Sequence, residues 1–140
     1  MEWLQSEIRV HASKRGLHEI TAAVEAELEK TGTREGMLFL FIRHTSASLC
    51  ISENYDPSAR RDLEAFLDRL APDGQPWHQH TTEGEDDSSS HMRSIVTAVD
   101  LSIPVGGGKM LLGTWQGIYL CEHRKHLETR TLLIRILKAA

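Results

Sequence analysis

Histidines are the residues of this chain best suited to chemistry, and the sequence contains eight of them. His44 comes just after the apolar run 37–42, at the end of a predicted strand, where catalytic and ligand-binding residues commonly lie. The small residues Thr45 and Ser46 come next and would let a ligand approach the backbone. A solvent-exposed histidine at a strand end would show the same pattern, so position alone leaves both interpretations open.

Two more histidines, His80 and His91, flank a segment that is rich in carboxylates, including Glu83 and Asp87. Imidazole and carboxylate groups are suitable ligands for a divalent ion such as Zn²⁺. The spacing matches neither the His-Glu-x-x-His motif nor paired Cys-x-x-Cys motifs. A metal site and a solvated acidic loop are therefore both compatible with this segment.

The segment 113–117 reads Gly-Thr-Trp-Gln-Gly and separates two predicted strands. Paired glycines around Trp115 and Gln116 indicate backbone that passes close to a ligand or a neighbouring subunit, and the indole offers a stacking face. A packed turn is the alternative. Asn54 also follows a strand and has no evident capping role, whereas Asp56, just before a proline, is typical of a helix N-cap.

Glu122 ends one predicted strand and Arg130 begins the next. On an exposed hairpin the two residues would form an ordinary surface ion pair, which contributes little to stability. In a pocket, the planar guanidinium of Arg130 would instead bind a phosphate or carboxylate bidentately. The sequence therefore adds a candidate oxyanion clamp to the histidines and carboxylates.

Apolar patterning predicts the elements that must position these side chains. Helical spacing and end signals predict helices, and alternating or continuous apolar runs predict strands. The helices are predicted near residues 20–28, 57–70 and 91–99, and the strands over residues 4–11, 37–42, 48–52, 101–105, 109–112, 117–122 and 129–137. His91 is expected in the first turn of the third helix.

The order of these elements predicts an α+β fold, a two-layer, mainly antiparallel sheet with helices packed on one side. The run 37–42 has no polar residue, which predicts a central strand buried on both faces. Residues 75–90 are polar and aperiodic, which predicts a long loop, and such loops often carry function. The glycines at 106–108 predict a hairpin turn and not a phosphate cradle, because no suitable helix follows them.

Length and composition narrow the class of protein. With 140 residues, the chain is expected to form one domain over residues 1–140. A formal net charge of -4, with no concentrated basic face, argues against nucleic-acid binding. The N-terminus has no signal-peptide pattern, and the longest apolar run is far too short to cross a bilayer. We therefore expect a cytoplasmic protein with neither nucleic acid nor membrane as its partner.

Several segments of the sequence form a set that is specific as a whole: His44-Thr-Ser-Ala-Ser, Glu53-Asn-Tyr-Asp-Pro, His80-Thr-Thr-Glu-Gly-Glu-Asp-Asp, His91, Leu112-Gly-Thr-Trp-Gln-Gly-Ile and Glu122-His-Arg. This set resembles the YjbQ family, whose members are often labelled secondary thiamine-phosphate synthases. The resemblance runs over essentially the whole chain. It implies a YjbQ-like α+β fold, assembled as a homotrimer with a site close to the subunit interfaces.

The resemblance also implies a metal-dependent reaction. It assigns His44, His80 and His91 as ligands of a divalent metal, Zn²⁺ or Mg²⁺, and a small phosphorylated metabolite as substrate. The implied reaction joins a pyrimidine pyrophosphate to a thiazole phosphate and releases pyrophosphate. This chain departs from the family pattern in its acidic loop, which is longer and lacks an asparagine, so which acid of residues 83–87 faces the site is left open.

Three functions are compatible with these residues: a metal-assisted transferase, a metal-dependent hydrolase with Glu83 or Asp87 as general base, and a non-enzymatic protein that binds a metal or a phosphorylated metabolite. No serine or cysteine shows a sign of activation, so covalent catalysis is not expected. For an enzyme, we expect catalytic roles for Glu83, Asp87, Glu122 and Arg130. Substrate binding is expected to involve Thr45, Ser46, Asn54, Trp115, Gln116 and Arg130.

Overall fold

The computed structural model describes residues 1–126 and 128–140, and within them the chain forms eight strands and three helices. In chain order these are β1 (Glu2–His11), β2 (Gly16–Glu19), α1 (Thr21–Thr31), β3 (Gly36–Ile42), β4 (Ala47–Glu53), α2 (Pro57–Leu70), α3 (Glu85–Val96), β5 (Asp100–Gly106), β6 (Lys109–Met110), β7 (Gln116–Glu122) and β8 (Thr129–Lys138). Every strand that the patterning predicted is present. β2 is an additional strand of 4 residues, too short for alternation to reveal it.

The strands form antiparallel sheets. The larger sheet has the order β1-β8-β3-β5-β6, and the smaller has the order β2-β7-β4. Neighbouring strands are antiparallel throughout. α2 and α3 lie against the outer face of the smaller sheet. The α+β class and the mainly antiparallel arrangement are confirmed, whereas the division of the strands between two facing sheets was not predicted.

One apolar core lies between the two sheets and is closed by α1. Because side chains alternate along a strand, every second residue of a core-forming strand points inward. Leu40 and Ile134 come from the larger sheet, Leu49 and Leu120 from the smaller one, and Val24 from α1, and each is fully buried. Burial of one such side chain contributes about 1.5–3 kcal/mol, so this core is the main stabilising feature.

The expectation for β3 was wrong on one point. Its alternate residues Leu38, Leu40 and Ile42 are buried, but Phe41 is 49% exposed and Phe39 is partly exposed. The outer face of the larger sheet is open to solvent in this chain, so only one face of β3 is buried. The uninterrupted apolar sequence of β3 therefore exceeds what the core of one chain requires.

The segment 75–90, predicted as a loop, is helical from Glu85 onward because α3 begins there. The first turn of α3 is acidic, which is favourable at the positive end of the helix dipole. His91 consequently lies in the second turn and not in the first. The start of this helix escaped the apolar pattern because its buried residues are polar: Asp86, Asp87, Ser89, Ser90, Arg93 and Ser94.

Other local signals behaved as predicted. Asp56 caps α2 by accepting a hydrogen bond from the Ser58 backbone N–H at 2.9 Å. Gly107 and Gly108 adopt φ of 59° and 79° in the turn between β5 and β6, a left-handed backbone that favours glycine.

Among the described residues, no helix combines the length and the apolar character needed to cross a bilayer.

Candidate functional site

A cavity of about 710 Å³ opens where the C-terminal ends of β3 and β7 meet α3. Charged and imidazole side chains from separate parts of the chain line it. The groups that bear most on its chemistry are His44, His80, Asp87, His91, Arg124 and Arg130. The fold thus gathers in one cavity most of the residues that sequence reasoning selected from distant segments.

Two imidazoles converge on one carboxylate in this cavity. The Nε2 atoms of His80 and His91 lie 2.6 Å and 3.0 Å from Oδ2 of Asp87. One ligand atom from each residue lies within 4.8 Å of those of the other two, a spacing that could hold a metal ion. Asp87 and His91 share a face of α3 because they are four residues apart, and His80 arrives from the preceding segment. We refer to His80, Asp87 and His91 as the His–Asp–His group.

The backbone fixes which nitrogen of His91 faces this group. Nδ1 of His91 lies 2.8 Å from the carbonyl oxygen of Thr45, which only accepts, so Nδ1 carries a proton and donates it. Nε2 of His91 then faces the Asp87 carboxylate, whose ionised oxygens also only accept. That position therefore needs a positive charge, either a proton on Nε2 or a bound cation. Metal-binding histidines are commonly oriented by a backbone carbonyl in this way, so these residues fit a divalent ion.

Arg124 holds the other oxygen of Asp87 and was not singled out from the sequence. Its Nη1 contacts Oδ1 of Asp87, its Nε donates to Oδ2 of Asp86 at 3.1 Å, and its Nη2 donates to the Glu83 carbonyl at 2.9 Å. Burial alone would raise the pKa of Asp87, but the hydrogen bond from His80 and the neighbouring positive charges outweigh burial and lower that pKa. Asp87 is thus held ionised and oriented.

His44 lines the cavity but lies outside the His–Asp–His group. The Thr131 backbone N–H donates to Nε2 of His44 at 2.9 Å, so the lone pair of this nitrogen is already used and the proton of the neutral ring is on Nδ1. Burial and the nearby charge of Arg130 lower the pKa of His44, which keeps the ring neutral. The structure therefore separates His44 from the two histidines with which the metal prediction grouped it. Its other nitrogen, Nδ1, lies 3.5 Å from Nη1 of Arg130.

Arg130 and Glu122 form a buried ion pair behind the cavity wall. Nε and Nη2 of Arg130 donate to the two carboxylate oxygens of Glu122 at 2.8 Å and 2.6 Å, and the side chains are 1% and 0% exposed. The edge of the Arg130 guanidinium that was predicted to bind phosphate therefore already binds Glu122. The remaining nitrogen, Nη1, is on the cavity side and lies 3.4 Å from Oε2 of Glu128. Glu122, predicted to be catalytic, is instead placed to hold Arg130.

Arg43 is a second cationic residue that sequence reasoning missed. It is exposed, it lines the cavity, and it forms no ion pair with any residue that the structure describes. An arginine in this state can bind an oxyanion with its planar fork. Glu83, a predicted catalytic acid, is likewise exposed on the lining. The only sequence signal for Arg43 was its position next to His44.

The predicted substrate-binding residues fall into two places. Thr45 and Ser46 lie at the cavity and contribute their backbone carbonyls, to His91 and Arg130 respectively. The other three lie at the opposite end of β7, whose 7 residues begin at Gln116. A strand of this length spans about 20 Å. Within one chain, the structure therefore does not bring these three residues to the cavity: Asn54, Trp115 and Gln116.

His123 follows Glu122 and is a buried histidine. Its Nε2 lies 2.8 Å from Oγ of Ser48, and its carbonyl accepts a hydrogen bond from Oγ of Ser90 at 2.8 Å. Burial, with further contributions from the charges of nearby arginines, lowers the pKa of His123 to about 3. The side chain is therefore neutral in the folded protein over most of the acidic range.

Comparison with known proteins relates the whole chain to one family. The family model described as "UPF0047 protein YjbQ-like" matches residues 6–139. The UPF0047 protein YjbQ of Salmonella typhimurium is 42% identical over 132 residues, which cover 94% of this chain and 95% of that protein. A UPF0047 protein of Synechocystis is 39% identical over 131 residues, which cover 93% of this chain and 89% of that protein.

Solved structures agree with this relation. A conserved hypothetical protein from Thermus thermophilus is similar with a TM-score of 0.84 and 32% sequence identity, over 94% of this chain and 99% of that chain. A YbjQ-like protein from Sulfolobus solfataricus is similar with a TM-score of 0.89 over 98% of each chain. Because the sequence identity is 24%, this similarity shows a shared fold and nothing more.

We predict that His123 makes the fold sensitive to acid. Its folded pKa of about 3 lies below the ordinary value of 6.5, so between these values the unfolded chain binds one more proton and acid favours unfolding. His123→Gln keeps a polar contact for Ser48 and should remove part of the stability loss between pH 7 and pH 4, on the order of a few kcal/mol. Urea unfolding at both pH values measures this loss.

The matched control is His11→Gln, at an exposed position of β1. This control should lose as much stability on acidification as the wild-type protein. Equal losses for the wild type and both variants would contradict the role assigned to His123.

Proposed function

Since this chain belongs to the UPF0047 family of YjbQ-like proteins, we propose that its cavity is the active site of a metal-dependent enzyme acting on a small phosphorylated metabolite. The observation that carries the proposal is the convergence of Nε2 of His80 and Nε2 of His91 on one oxygen of Asp87. Two imidazoles and a carboxylate occur in catalytic zinc sites, with a further position open for water or substrate. Mg²⁺ prefers oxygen ligands, so Zn²⁺ or a similar first-row ion suits this group better.

In this proposal each charged residue of the cavity has a distinct task. The His–Asp–His group would hold the divalent ion, which would supply neutralisation of negative charge on a phosphate or pyrophosphate leaving group. Arg124 keeps Asp87 ionised and oriented. Arg43 would bind a phosphate oxygen, and His44 would border the substrate beside Arg130.

For the reaction, we propose the coupling of a pyrimidine pyrophosphate to a thiazole phosphate. A carbon–nitrogen bond forms to the thiazole nitrogen while the carbon–oxygen bond to pyrophosphate breaks, giving thiamine phosphate and pyrophosphate. A cavity of about 710 Å³ has the size of a small-molecule site. Coupling needs charge neutralisation on the leaving group more than a strong base, and Ser46 and Ser48 are buried, which suits a mechanism without a covalent intermediate.

A metal-dependent hydrolase is the second candidate, and Glu83 favours it. The Glu83 side chain is exposed on the cavity lining, so its carboxylate could accept a proton from an attacking water. Asp87 suits this role less well because its oxygens are already engaged by two imidazoles and Arg124. Of the two acids predicted as general base, Glu83 is therefore the available one.

We also propose that the active form is a homotrimer. The outer face of the larger sheet exposes Trp3 by 54% and Phe41 by 49%. The rings of Trp3 and Phe39 lie 6.0 Å apart, and Arg135 stacks over Trp3 at 5.2 Å. Apolar groups of this kind mark association surfaces. Phe41 also lines the cavity, so a neighbour on this face would border the site, and cyclic association could bring residues 113–116 of one chain toward the cavity of another.

We predict that the His–Asp–His group binds Zn²⁺. Asp87→Asn and His91→Ala should each weaken zinc binding at least about tenfold, because each variant removes one ligand of three. His44→Ala should bind zinc as tightly as the wild-type protein, since Nε2 of His44 is engaged by the Thr131 N–H. Isothermal titration with zinc measures these affinities, with the exposed His11→Ala as control. A zinc loss in His44→Ala equal to that in His91→Ala would contradict the assignment.

We predict that the zinc-loaded protein forms thiamine phosphate and pyrophosphate in equal amounts from the two phosphorylated precursors. Asp87→Asn should abolish the reaction, whereas Glu83→Gln should leave most of it intact, since coupling needs no general base. Phosphorus NMR of the mixture identifies the products. Hydrolysis without coupled product, lost in Glu83→Gln, would identify a hydrolase and overturn the coupling proposal. Zinc binding without turnover would identify a binding protein.

We predict that light scattering at micromolar concentration gives three times the mass of one chain. Trp3→Glu should lower this mass, because it places a charge on the exposed apolar face of the larger sheet. Phe66→Glu is the matched control, since Phe66 is 58% exposed on α2, away from that face, and this variant should keep the wild-type mass. A monomeric wild-type protein would contradict the proposal.

A further inference from the structure

An apolar surface adjoins the charged cavity at the C-terminal end of α3. It consists of Ile95, Ala98 and Val99, and we term it the apolar shelf. Ile95 is 83% exposed and Val99 is 39% exposed. Exposed apolar side chains that lie together commonly mark a binding surface. The shelf is therefore a candidate surface for binding an apolar group.

The shelf and the charged cavity are parts of one continuous concave surface. His44, Thr45 and His91 line both, and Val99 also belongs to both. A molecule anchored in the cavity by an oxyanion would extend over Val99 and onto Ile95 without leaving the protein surface. This continuity favours one ligand that spans both regions over a separate partner on the shelf.

The shelf is built on backbone that is already ordered. Ala98 exchanges two hydrogen bonds with Leu49, at 2.6 Å and 3.0 Å. The Val99 carbonyl accepts a hydrogen bond from the Ile42 N–H at 2.9 Å. A preorganised surface loses little conformational entropy when a ligand binds, so even a small apolar group gains affinity from it.

Polar residues also line this depression, with the exposed Asp100 and the buried Ser94 among them. Ser94 is 5% exposed. Within the described part of the chain, its Oγ has no hydrogen-bond partner. This oxygen is itself buried beneath the surface of the depression, so it is not available to a bound group.

We propose that the apolar shelf is a subsite for the ring or other apolar part of the substrate, and that the substrate is therefore a phosphate ester of an apolar or aromatic alcohol. This inference rests on the proposed phosphate site in the cavity. The two regions together select a ligand that is charged at one end and apolar at the other. Inorganic phosphate uses the cavity alone.

Phenyl phosphate and methyl phosphate test the subsite, because they share the charged end and differ in the apolar part. We expect the zinc-loaded protein to bind phenyl phosphate about tenfold more tightly than methyl phosphate in isothermal titration. Ile95→Asn should bring the ratio of the two affinities close to one. Leu111→Asn is the matched control, since Leu111 is 59% exposed but lies beyond β6, and this variant should keep the tenfold preference.

The outcomes separate the subsite from the function on which it rests. Equal affinities for the two esters in the wild-type protein, or a preference that persists in Ile95→Asn, would overturn the subsite and leave the phosphate site standing. Failure of both esters to bind would overturn the phosphate site and the subsite with it. A lower oligomeric mass for Ile95→Asn in light scattering would identify the shelf as a subunit contact and would also overturn the subsite.

Discussion

The buried ion pair between Glu122 and Arg130 is the contact on which the site depends. Glu122 ends β7 in the smaller sheet and Arg130 lies at the start of β8 in the larger sheet, so the pair joins the two sheets beside the cavity. Removing both charges from water is unfavourable by several kcal/mol. The pair offsets this because both carboxylate oxygens accept from the guanidinium, while Nη2 of Arg130 also donates to the Ser46 carbonyl and Glu122 also accepts from the Arg124 N–H.

A chain of contacts leads from this pair to the His–Asp–His group. Oε2 of Glu122 accepts from the Arg124 backbone N–H at 3.1 Å, which fixes the start of the segment after β7. The Arg124 side chain then engages Asp86 and Asp87 in the first turn of α3. Asp87 in turn meets the two imidazoles. The first turns of α3 are therefore placed by hydrogen bonds and charge, and not by apolar packing.

This polar placement decides how much of the fold could be predicted from the sequence. Apolar periodicity reveals an element whose buried residues are apolar, as in β3 with Leu38 and Leu40, and capping reveals α2 through Asp56. Apolar periodicity does not reveal the start of α3, because the residues buried there are serines and aspartates. The division into two sheets was equally hidden, because the pairing of β4 with β7 depends on residues far apart in the chain.

The candidate site follows the same rule. His80, Asp87 and His91 lie within one short stretch of sequence. Their residue types suggested a metal site, although their spacing matched no standard motif and a solvated acidic loop was equally compatible. The hydrogen bond from the Thr131 N–H to His44 joins residues that are far apart in the chain, so no local sequence pattern predicts it. The contact of Arg124 with Asp87 is hidden from the sequence for the same reason.

The charges of the cavity link metal binding to phosphate binding within the proposed function. Arg124 and Arg130 are largely neutralised by their carboxylate partners. Arg43 shares the cavity lining with two exposed carboxylates, Glu83 and Glu128, and Glu128 also lies 3.4 Å from Nη1 of Arg130. A phosphate ester entering the cavity without a bound cation would meet these exposed carboxylates as well as Arg43. Under the proposal, a divalent ion on the His–Asp–His group would add positive charge beside the phosphate, so the ion and the ester would favour each other's binding by the same factor.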